Sequence, residues 1–143
     1  LMTTVLISAS LLYFGLNAET GGNIEYPDFE TYGQTVYLPT YIPEGYTVQD
    51  VNITGKMIVS MFTCKSDYIL FTQVNFYNIA SDLDNSNYET QRAKLGNTEG
   101  YFSNDGDRTI FTYYKDDYLF SVSGTLDKSE LSKIVNSVEL YAQ

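Results

Sequence analysis

The sequence predicts an α+β fold in which an antiparallel meander sheet of five to seven strands carries a C-terminal amphipathic helix packed on one face. Two observations lead to this class. Alternating apolar and polar residues recur between Tyr46 and Gly124, and short turn motifs rich in Gly, Asn and Asp separate these runs. A helical spacing of apolar residues follows only near the end of the chain, so one helix closes a set of strands.

Prolines and glycines mark the first strands. In VYLPTYIPEGY, Pro39 and Pro43 impose extended or turn geometry, and Glu44-Gly45 supplies the turn into a strand that runs to Thr54. Gly55-Lys56 is a turn signal before a strand over 57–64. A further turn at 65–67 leads into a strand over 68–78, whose two faces are predicted to be Tyr68, Leu70, Thr72, Val74 and Phe76 on one side and Ile69, Phe71, Gln73 and Asn75 on the other.

The polar segment 79–89 is interpreted as a loop. It contains Asp82, Asp84, Ser86 and Glu89, which suggests calcium, but an EF-hand loop requires Gly at its sixth position and Glu at its twelfth. The chain has Asn87 and Ala93 at those positions, so a solvated loop is favoured over a weak cation site.

Three hairpin turns follow this loop. Gly96-Asn97 separates QRAKL from TEGYF, residues 104–107 (NDGD) form the next turn, and residues 115–117 (KDD) separate RTIFTYY from YLFSVSG. These motifs predict a last set of short antiparallel strands that are rich in aromatic residues.

The last element is a predicted helix. Asp127 is expected to cap it, with Glu130 at capping-box spacing. An apolar stripe is formed by Leu131, Ile134, Val135 and Val138, and the opposite, polar face by Lys128, Ser132, Lys133 and Asn136. The stripe predicts a helix that covers one face of the sheet.

The N-terminal residues predict attachment to a membrane. Residues 1–18 carry no charge and are interpreted as a membrane anchor, expected to be truncated at its start, or as a signal segment; a buried core helix is a third reading. Residues 19–35 are interpreted as an acidic, Gly-containing spacer, and 36–143 as a single domain. Between 17 and 55 there are six acidic residues and no Lys or Arg, so residues 19–143 are expected outside the cell membrane.

Composition excludes several classes of function. The net charge of −10 argues against nucleic-acid binding, which requires clustered Lys and Arg. The chain has no His and no recognisable catalytic or cofactor-binding motif, so we expect no enzymatic activity, no cofactor and no metal. Its one cysteine, Cys64, is interpreted as a small buried hydrophobic residue, with a reactive thiol or an intermolecular bridge as the alternatives.

The chain has 14 Tyr and 8 Phe. High strand propensity explains most of these tyrosines, since the ring fits a half-buried sheet face, but exposed tyrosines also bind sugars, peptides or protein surfaces. Any ligand surface is expected on the sheet face that the helix leaves uncovered. The tyrosines weighed in this way are Tyr68, Tyr77, Tyr101, Tyr113, Tyr114 and Tyr118.

Three segments carry a resemblance to a known family. YLPTYIPEGYTVQDV, AKLGNTEGYF and KDDYLFSVSGTLDKSELSKIVNSVEL are similar, in order, to the entry, middle hairpin and terminal hairpin plus helix of a domain-of-unknown-function family of Gram-positive bacteria, number 4367. The first segment supplies Pro39, Tyr41, Ile42, Pro43, Gly45 and Tyr46, and the resemblance spans about residues 36–140. The chain lacks the Trp that relatives often place in the penultimate strand, where Phe111 or Tyr113 would stand.

The resemblance implies a context rather than a reaction. Such domains are often the outer part of single-pass membrane proteins whose cytoplasmic part resembles an anti-sigma factor. We therefore expect a sensing or regulatory domain that contacts the membrane through its N-terminal apolar segment and has a protein partner in envelope signalling. A secreted or surface-tethered module that binds glycan, peptide or lipid is the alternative, and a passive structural domain is a third.

Overall fold

A computed structural model describes residues 24–75 and 90–142 of the chain, and in them the protein is mainly β-sheet. Its elements, in chain order, are β1 (Val36–Pro39), β2 (Thr47–Thr54), β3 (Met57–Cys64), β4 (Asp67–Asn75), β5 (Gln91–Leu95), β6 (Thr98–Asp105), β7 (Arg108–Lys115), β8 (Tyr118–Gly124), α1 (Lys128–Asn136) and β9 (Val138–Ala142). The predicted α+β class is therefore too loose, because one helix of nine residues accompanies two antiparallel sheets in this part of the chain.

The main sheet has seven strands in the order β2-β3-β4-β8-β7-β6-β5. The number of strands in this sheet and their antiparallel pairing agree with the prediction. The predicted topology, a single meander, is wrong. A three-stranded meander (β2 to β4) and a four-stranded meander (β5 to β8) are joined where β4 pairs with β8, from Leu70 opposite Ser123 to Asn75 opposite Tyr118. The chain therefore passes from β4 at the centre of the sheet to β5 at its edge.

A second, two-stranded sheet pairs β1 with β9. The sequence predicted only extended or turn geometry around Pro39, and it placed Val138 in the helix. In the structure Pro39 and Val138 are opposite each other in this small sheet, and α1 ends at Asn136 with Ser137 as its C-cap. Val138 is therefore the first residue of β9 rather than part of the helical stripe.

Helix α1 begins as predicted. The Asp127 side chain accepts a hydrogen bond of 2.8 Å from the Glu130 backbone N–H, which satisfies one of the donors that a helix N-terminus leaves without an intrahelical partner. Leu131, Ile134 and Val135 are buried, and α1 contacts β1, β5 and β8. One face of the main sheet is thus covered by the helix and β1.

The alternation predicted for β4 is confirmed within its described residues. Ile69, Phe71 and Gln73 are buried, whereas Tyr68, Leu70, Thr72 and Val74 are exposed or half-buried on the opposite face. The buried set joins the aromatic core formed by Phe62, Phe111, Tyr113 and Phe120. Residues 76–89, which include Phe76, Tyr77 and the polar segment considered for calcium, lie outside the described residues.

Residues 24–35 pack against the domain. The Tyr26 hydroxyl donates a hydrogen bond of 2.6 Å to the Pro39 carbonyl, and the Tyr26 ring contacts Phe62 edge-on at 6.1 Å. Phe29 stacks on Tyr141 of β9 at 5.5 Å. This part of the predicted spacer therefore contacts both the core and the small sheet.

The predicted anchor, residues 1–18, lies outside the described residues. Within 24–75 and 90–142, no helix is both long enough and apolar enough to cross a membrane.

Candidate functional site

A cleft of about 810 Å³ opens beside β6 and β7, near the end of α1. Its volume lies in the range of about 300–1,000 Å³ that is typical of small-molecule sites. We call it the β6–β7 cleft; its lining residues are Arg92, Lys94, Asn97, Thr98, Glu99, Gly100, Tyr101, Tyr113, Tyr114, Lys115, Val135, Asn136 and Val138.

The cleft exists because β6 and β7 do not pair along their whole length. Their ladder runs from Asp105 opposite Arg108 to Tyr101 opposite Thr112 and stops there. Beyond Tyr101, β6 continues to pair with β5 as far as Leu95 opposite Thr98. Gly100 still lies close against Thr112 and Tyr113 of β7, so the cleft opens beyond this contact, beside the β5–β6 turn and the end of α1.

The end of α1 holds this hairpin in place. The Asn136 amide donates to the Leu95 carbonyl at 3.0 Å, and its side-chain oxygen accepts a hydrogen bond of 3.1 Å from the Thr98 hydroxyl. Gly96 in the turn has φ +60°, and a Cβ built there would lie 2.5 Å from the Asn136 side-chain nitrogen. The hairpin turn and the helix end are therefore in close contact, and a side chain at 96 would separate them.

Tyr113 lies in the wall of the cleft and is 2% exposed. Its ring stacks on Phe120 with the centroids 5.2 Å apart. Its hydroxyl is buried, and no hydrogen-bond partner for it occurs among the residues that the structure describes. Burial raises the pKa of this hydroxyl, so at neutral pH it is a protonated donor. Buried polar groups are nearly always paired, but this hydroxyl has less than 1 Å² of accessible surface and is therefore closed off from a ligand in the cleft.

Basic side chains are concentrated at the same cleft. Arg92, Lys94 and Lys115 line it, which is three of the eight Lys and Arg residues in a chain of net charge −10. One carboxylate, Glu99, faces them and lies 3.9 Å from Arg92, but both side chains are mostly exposed, so this ion pair is weak. The Lys115 ammonium lies 5.7 Å from the Tyr37 ring centroid. Strand alternation places Arg92 and Lys94 on the helix-free face and Lys115 on the face of Tyr113, so the cations are divided between the two faces of the sheet.

Two further tyrosines form the outer rim. Tyr101 is 47% exposed and Tyr114 is 43% exposed. Tyr101 lies opposite Arg92 of β5, and Tyr114 lies opposite Leu119 of β8. Both tyrosine side chains are therefore on the sheet face away from α1. Their rings offer apolar surface with a polar tip at the entrance to a polar cleft.

The structure distributes the tyrosines that the sequence singled out between two faces. Tyr68, Tyr101 and Tyr114 are exposed on the helix-free face, where a ligand surface was expected, and Tyr118 is half-buried. Tyr113 is on the helix-covered side, and Tyr77 lies outside the described residues. The sequence placed Asn136 on the polar face of the helix without a functional role, and it did not single out Arg92, Lys94 or Lys115. The GN turn, which places Arg92 and Lys94 on one hairpin, is a signal for those two residues.

Cys64 is half-buried at the end of β3 rather than buried as predicted. A Cβ at Gly45 would lie 3.2 Å from its sulfur, so the thiol packs against the turn before β2. Within the described part of the chain, no group of three or more Cys, Asp or Glu side chains is arranged to hold a metal ion.

Comparison with known proteins supports the resemblance seen in the sequence. A family profile described as "Domain of unknown function (DUF4367)" matches residues 36–138. No curated protein matches the chain. Among solved structures, the chain is similar to a GTP-binding regulator from Thermotoga maritima with 18% identity and a TM-score of 0.45, over 64% of this chain and 75% of that one. This likeness is too weak to carry an argument about the fold or function of the chain.

Proposed function

The chain belongs to the DUF4367 family, and from that premise and the cleft we propose that it is a non-enzymatic ligand-binding domain with a sensing or regulatory role. The observation that carries the proposal is the β6–β7 cleft itself, whose volume of about 810 Å³ is typical of small-molecule sites and whose rim carries the exposed Tyr101 and Tyr114.

The connections of the cleft support a regulatory role. Val138 lines the cleft and begins β9, which pairs with β1. At the other end of β9, Tyr141 contacts Tyr26 and Phe29 at ring distances of 5.5 Å. One short strand therefore joins the cleft to the segment that leads towards the N-terminus. A ligand that orders the cleft would also order this contact.

We further propose that the domain is held outside the cell membrane by the apolar segment 1–18, in an anti-sigma-factor-like arrangement with a protein partner in envelope signalling. The uncharged segment and the absence of Lys and Arg between 17 and 55 support this location. The lack of any His supports the non-enzymatic part of the proposal, since it removes the commonest general base. The alternative function is a secreted or surface-tethered binding module that uses the same cleft.

The location is tested by thiol labelling in intact cells of the native host. Cys64→Ser removes the single thiol and Asp107→Cys places one in an exposed turn. We expect a membrane-impermeant maleimide to label the double variant on intact cells, in the membrane fraction, and to leave the Cys64→Ser control unlabelled. Labelled protein that is recovered only in the medium would favour the secreted module. Labelling that occurs only after the cells are permeabilised would contradict both the membrane-anchored and the secreted location.

The regulatory connection is tested by amide hydrogen exchange. We expect a bound ligand to slow exchange in β9 and in residues 24–35, because ordering of Val138 is transmitted along the strand. The β2–β3 hairpin, at the opposite edge of the main sheet, is the internal control and should exchange at an unchanged rate. Protection that is confined to β6 and β7 would agree with a binding module and would contradict the regulatory role.

A further inference from the structure

We propose that the helix-free face of the main sheet, the face opposite to α1 and β1, is the interface of a homodimer in which two copies pack sheet against sheet. This inference goes beyond the proposed function and does not rest on ligand binding in the cleft. It is carried by the apolar composition of the face, by its size and by the charges along its two edges.

The four central strands present a mainly apolar surface on this face. An antiparallel sheet with one face in water usually alternates apolar residues towards the core with polar residues towards the solvent. In β3, β4, β7 and β8 the register places apolar and small uncharged side chains on the solvent side: Met57, Val59, Met61, Thr63, Tyr68, Leu70, Thr72, Val74, Ile110, Thr112, Tyr114, Leu119, Ser121 and Ser123. All of these except Leu119 are exposed or half-buried. A contiguous patch of this kind is typical of a protein–protein contact.

The one charged side chain that these four strands place on the face is held flat against the sheet. The Arg108 guanidinium lies 3.8 Å from the Tyr68 ring centroid and donates to the Tyr68 carbonyl at 3.2 Å. It also donates to the Ser123 carbonyl at 3.1 Å. Since these hydrogen bonds are made within the chain, a second sheet can cover Arg108 without leaving its guanidinium unpaired.

The size of the face suits a stable dimer. Seven strands about 4.8 Å apart, with a rise of about 3.4 Å per residue, give a face about 29 Å wide and about 20 Å high. This footprint is roughly 600 Å² per copy before the roughness of the side chains is counted, and standard interfaces bury about 800 Å² per partner. Most of the face is therefore needed, which requires the two sheets to overlap almost completely.

The charges at the two edges determine the orientation of the second copy. On this face the edge strand β2 carries Asp50 and Asn52, whereas β5 at the opposite edge carries Arg92 and Lys94. A two-fold axis along β8, the central strand, lays β2 of each copy over β5 of the other. Arg92 then lies opposite Asn52 of the second copy and one residue pair away from its Asp50. The ion pair of Arg92 with Glu99 is exposed and weak, so it does not prevent this contact.

The other two-fold arrangement is opposed by the same charges. An axis across the strands would lay β5 of one copy over β5 of the other. The cations Arg92 and Lys94 of both copies would then face each other, and like charges across an interface repel.

Small residues lie along the favoured axis. Ser121 of β8 is flanked by Thr72 of β4 and Thr112 of β7 at the centre of the face. Their short side chains let two sheets approach to the separation of about 10 Å that packed sheets adopt. Strands β3 and β4 of the second copy would lie over Tyr101 and Tyr114, so the β6–β7 cleft would be bounded by both copies on this side.

The test is cross-linking of the 143-residue chain, purified in a mild non-ionic detergent, with a short bismaleimide. Cys64→Ser removes the native thiol, and Ser121→Cys then places one thiol on the proposed axis, next to its counterpart in the second copy. Ser129→Cys is the matched control, because it makes the same substitution at an exposed position of α1. We expect at least about tenfold more covalent dimer from Ser121→Cys, because thiols held in one complex have a high effective concentration.

Charge variants connect the cross-link to the face. Thr72→Lys buries an unpaired lysine in each copy and should reduce the Ser121→Cys cross-link at least about tenfold. Thr125→Lys makes the same change at an exposed position before α1 and should leave the cross-link unchanged. Asp50→Arg should reduce it about two- to fivefold, and adding Arg92→Asp to the same chain should restore it. That restoration depends on the pairing of the two edges and would not follow from a damaged fold.

Each other outcome overturns a defined part of the proposal. Equal cross-linking of Ser121→Cys and Ser129→Cys, or a cross-link that a folded Thr72→Lys variant leaves unchanged, would overturn the face as the interface. A double charge reversal that fails to restore the cross-link would overturn the orientation. A Ser121→Cys chain that stays monomeric at every protein concentration would overturn the dimer and leave the face to a different partner.

Discussion

Replacing Tyr113 by Phe should stabilise the unliganded protein. The substitution removes one oxygen atom and keeps the ring, which stacks on Phe120 at 5.2 Å and is 2% exposed. Because the hydroxyl has no partner among the described residues, its burial costs about 1–3 kcal/mol, and Phe does not incur that cost. We therefore expect the free energy of unfolding to rise by about 1–2 kcal/mol, which for a domain of this size raises Tm by roughly 3–8 °C.

The assay is thermal unfolding followed by circular dichroism, with urea unfolding as a second measure of the free energy. Tyr26→Phe is the matched control, since it deletes a tyrosine hydroxyl that does have a partner, the Pro39 carbonyl at 2.6 Å. That control should lose about 0.5–1.5 kcal/mol of stability, because a made hydrogen bond is removed. The two substitutions are chemically identical and are expected to have opposite signs.

The result that refutes this reasoning is a loss of stability in Tyr113→Phe comparable to that of the control. Such a loss would mean that the Tyr113 hydroxyl is already satisfied in the free protein, for instance by a buried water. The comparison of the two variants thus tests whether the buried hydroxyl is unpaired in the folded protein.

Four further predictions concern the architecture. Gln73→Met should destabilise the fold by about 2–4 kcal/mol in urea unfolding, because the buried amide accepts from the Tyr37 N–H at 2.9 Å and donates to the Thr35 carbonyl at 2.8 Å; a loss below about 0.5 kcal/mol would contradict this. Asp127→Ala should cost about 1 kcal/mol through loss of the helix cap, measured in the same way, whereas Asp127→Asn should cost little. Gly100→Ala should cost about 1–3 kcal/mol, because its Cβ would clash with the Thr112 backbone carbonyl and lie 2.7 Å from the Phe111 ring; unchanged stability would show that β6 is free to shift. Stability should be lost at alkaline pH: burial and the hydrogen bond to Glu130 raise the pKa of Tyr41 from 10.0 to about 12, so the contribution is complete below pH 10 and is lost towards pH 12. Tyr41→Phe should reduce this alkaline loss in a pH series of urea midpoints, and an identical pH profile would contradict the assignment.

Local signals in the sequence predicted most of the main sheet. The turns at Gly55, Gly96 and Gly106 have φ between +60° and +61°, which glycine adopts without strain, and each lies where the sequence placed a hairpin. The strand boundaries around these turns and the Asp127 cap followed from the same short-range chemistry.

Long-range pairing could not be predicted in this way. β1 and β9 are about a hundred residues apart, and nothing in VYLP identifies VELYA as its partner. The helical spacing of apolar residues continues to Val138, but the Ser137 hydroxyl donates to the Ile134 carbonyl at 2.8 Å and accepts from the Tyr41 N–H at 3.0 Å. This tertiary contact ends the helix at Asn136, two residues earlier than its pattern indicates.

The candidate site was hidden for the same reason. From the sequence alone, Arg92 and Lys94 are predicted to be exposed residues of a hairpin, and Tyr113 is predicted to be a tyrosine within a strand. They border one cleft because the β6–β7 ladder ends at Tyr101 and because Asn136 holds the hairpin turn. Neither contact has a sequence signature, so the cleft is visible only once the strand register is known.

The central claim is that the β6–β7 cleft binds a small molecule, and the most direct measurement is a ¹H–¹⁵N correlation screen of the chain against a library of small molecules. We predict that amide signals of Gly100, Tyr113 and Val138 shift in a saturable way, while those of the β2–β3 turn at Gly55 stay in place. Absence of saturable shifts at Gly100, Tyr113 and Val138, or equal shifts at Gly55, would contradict the account.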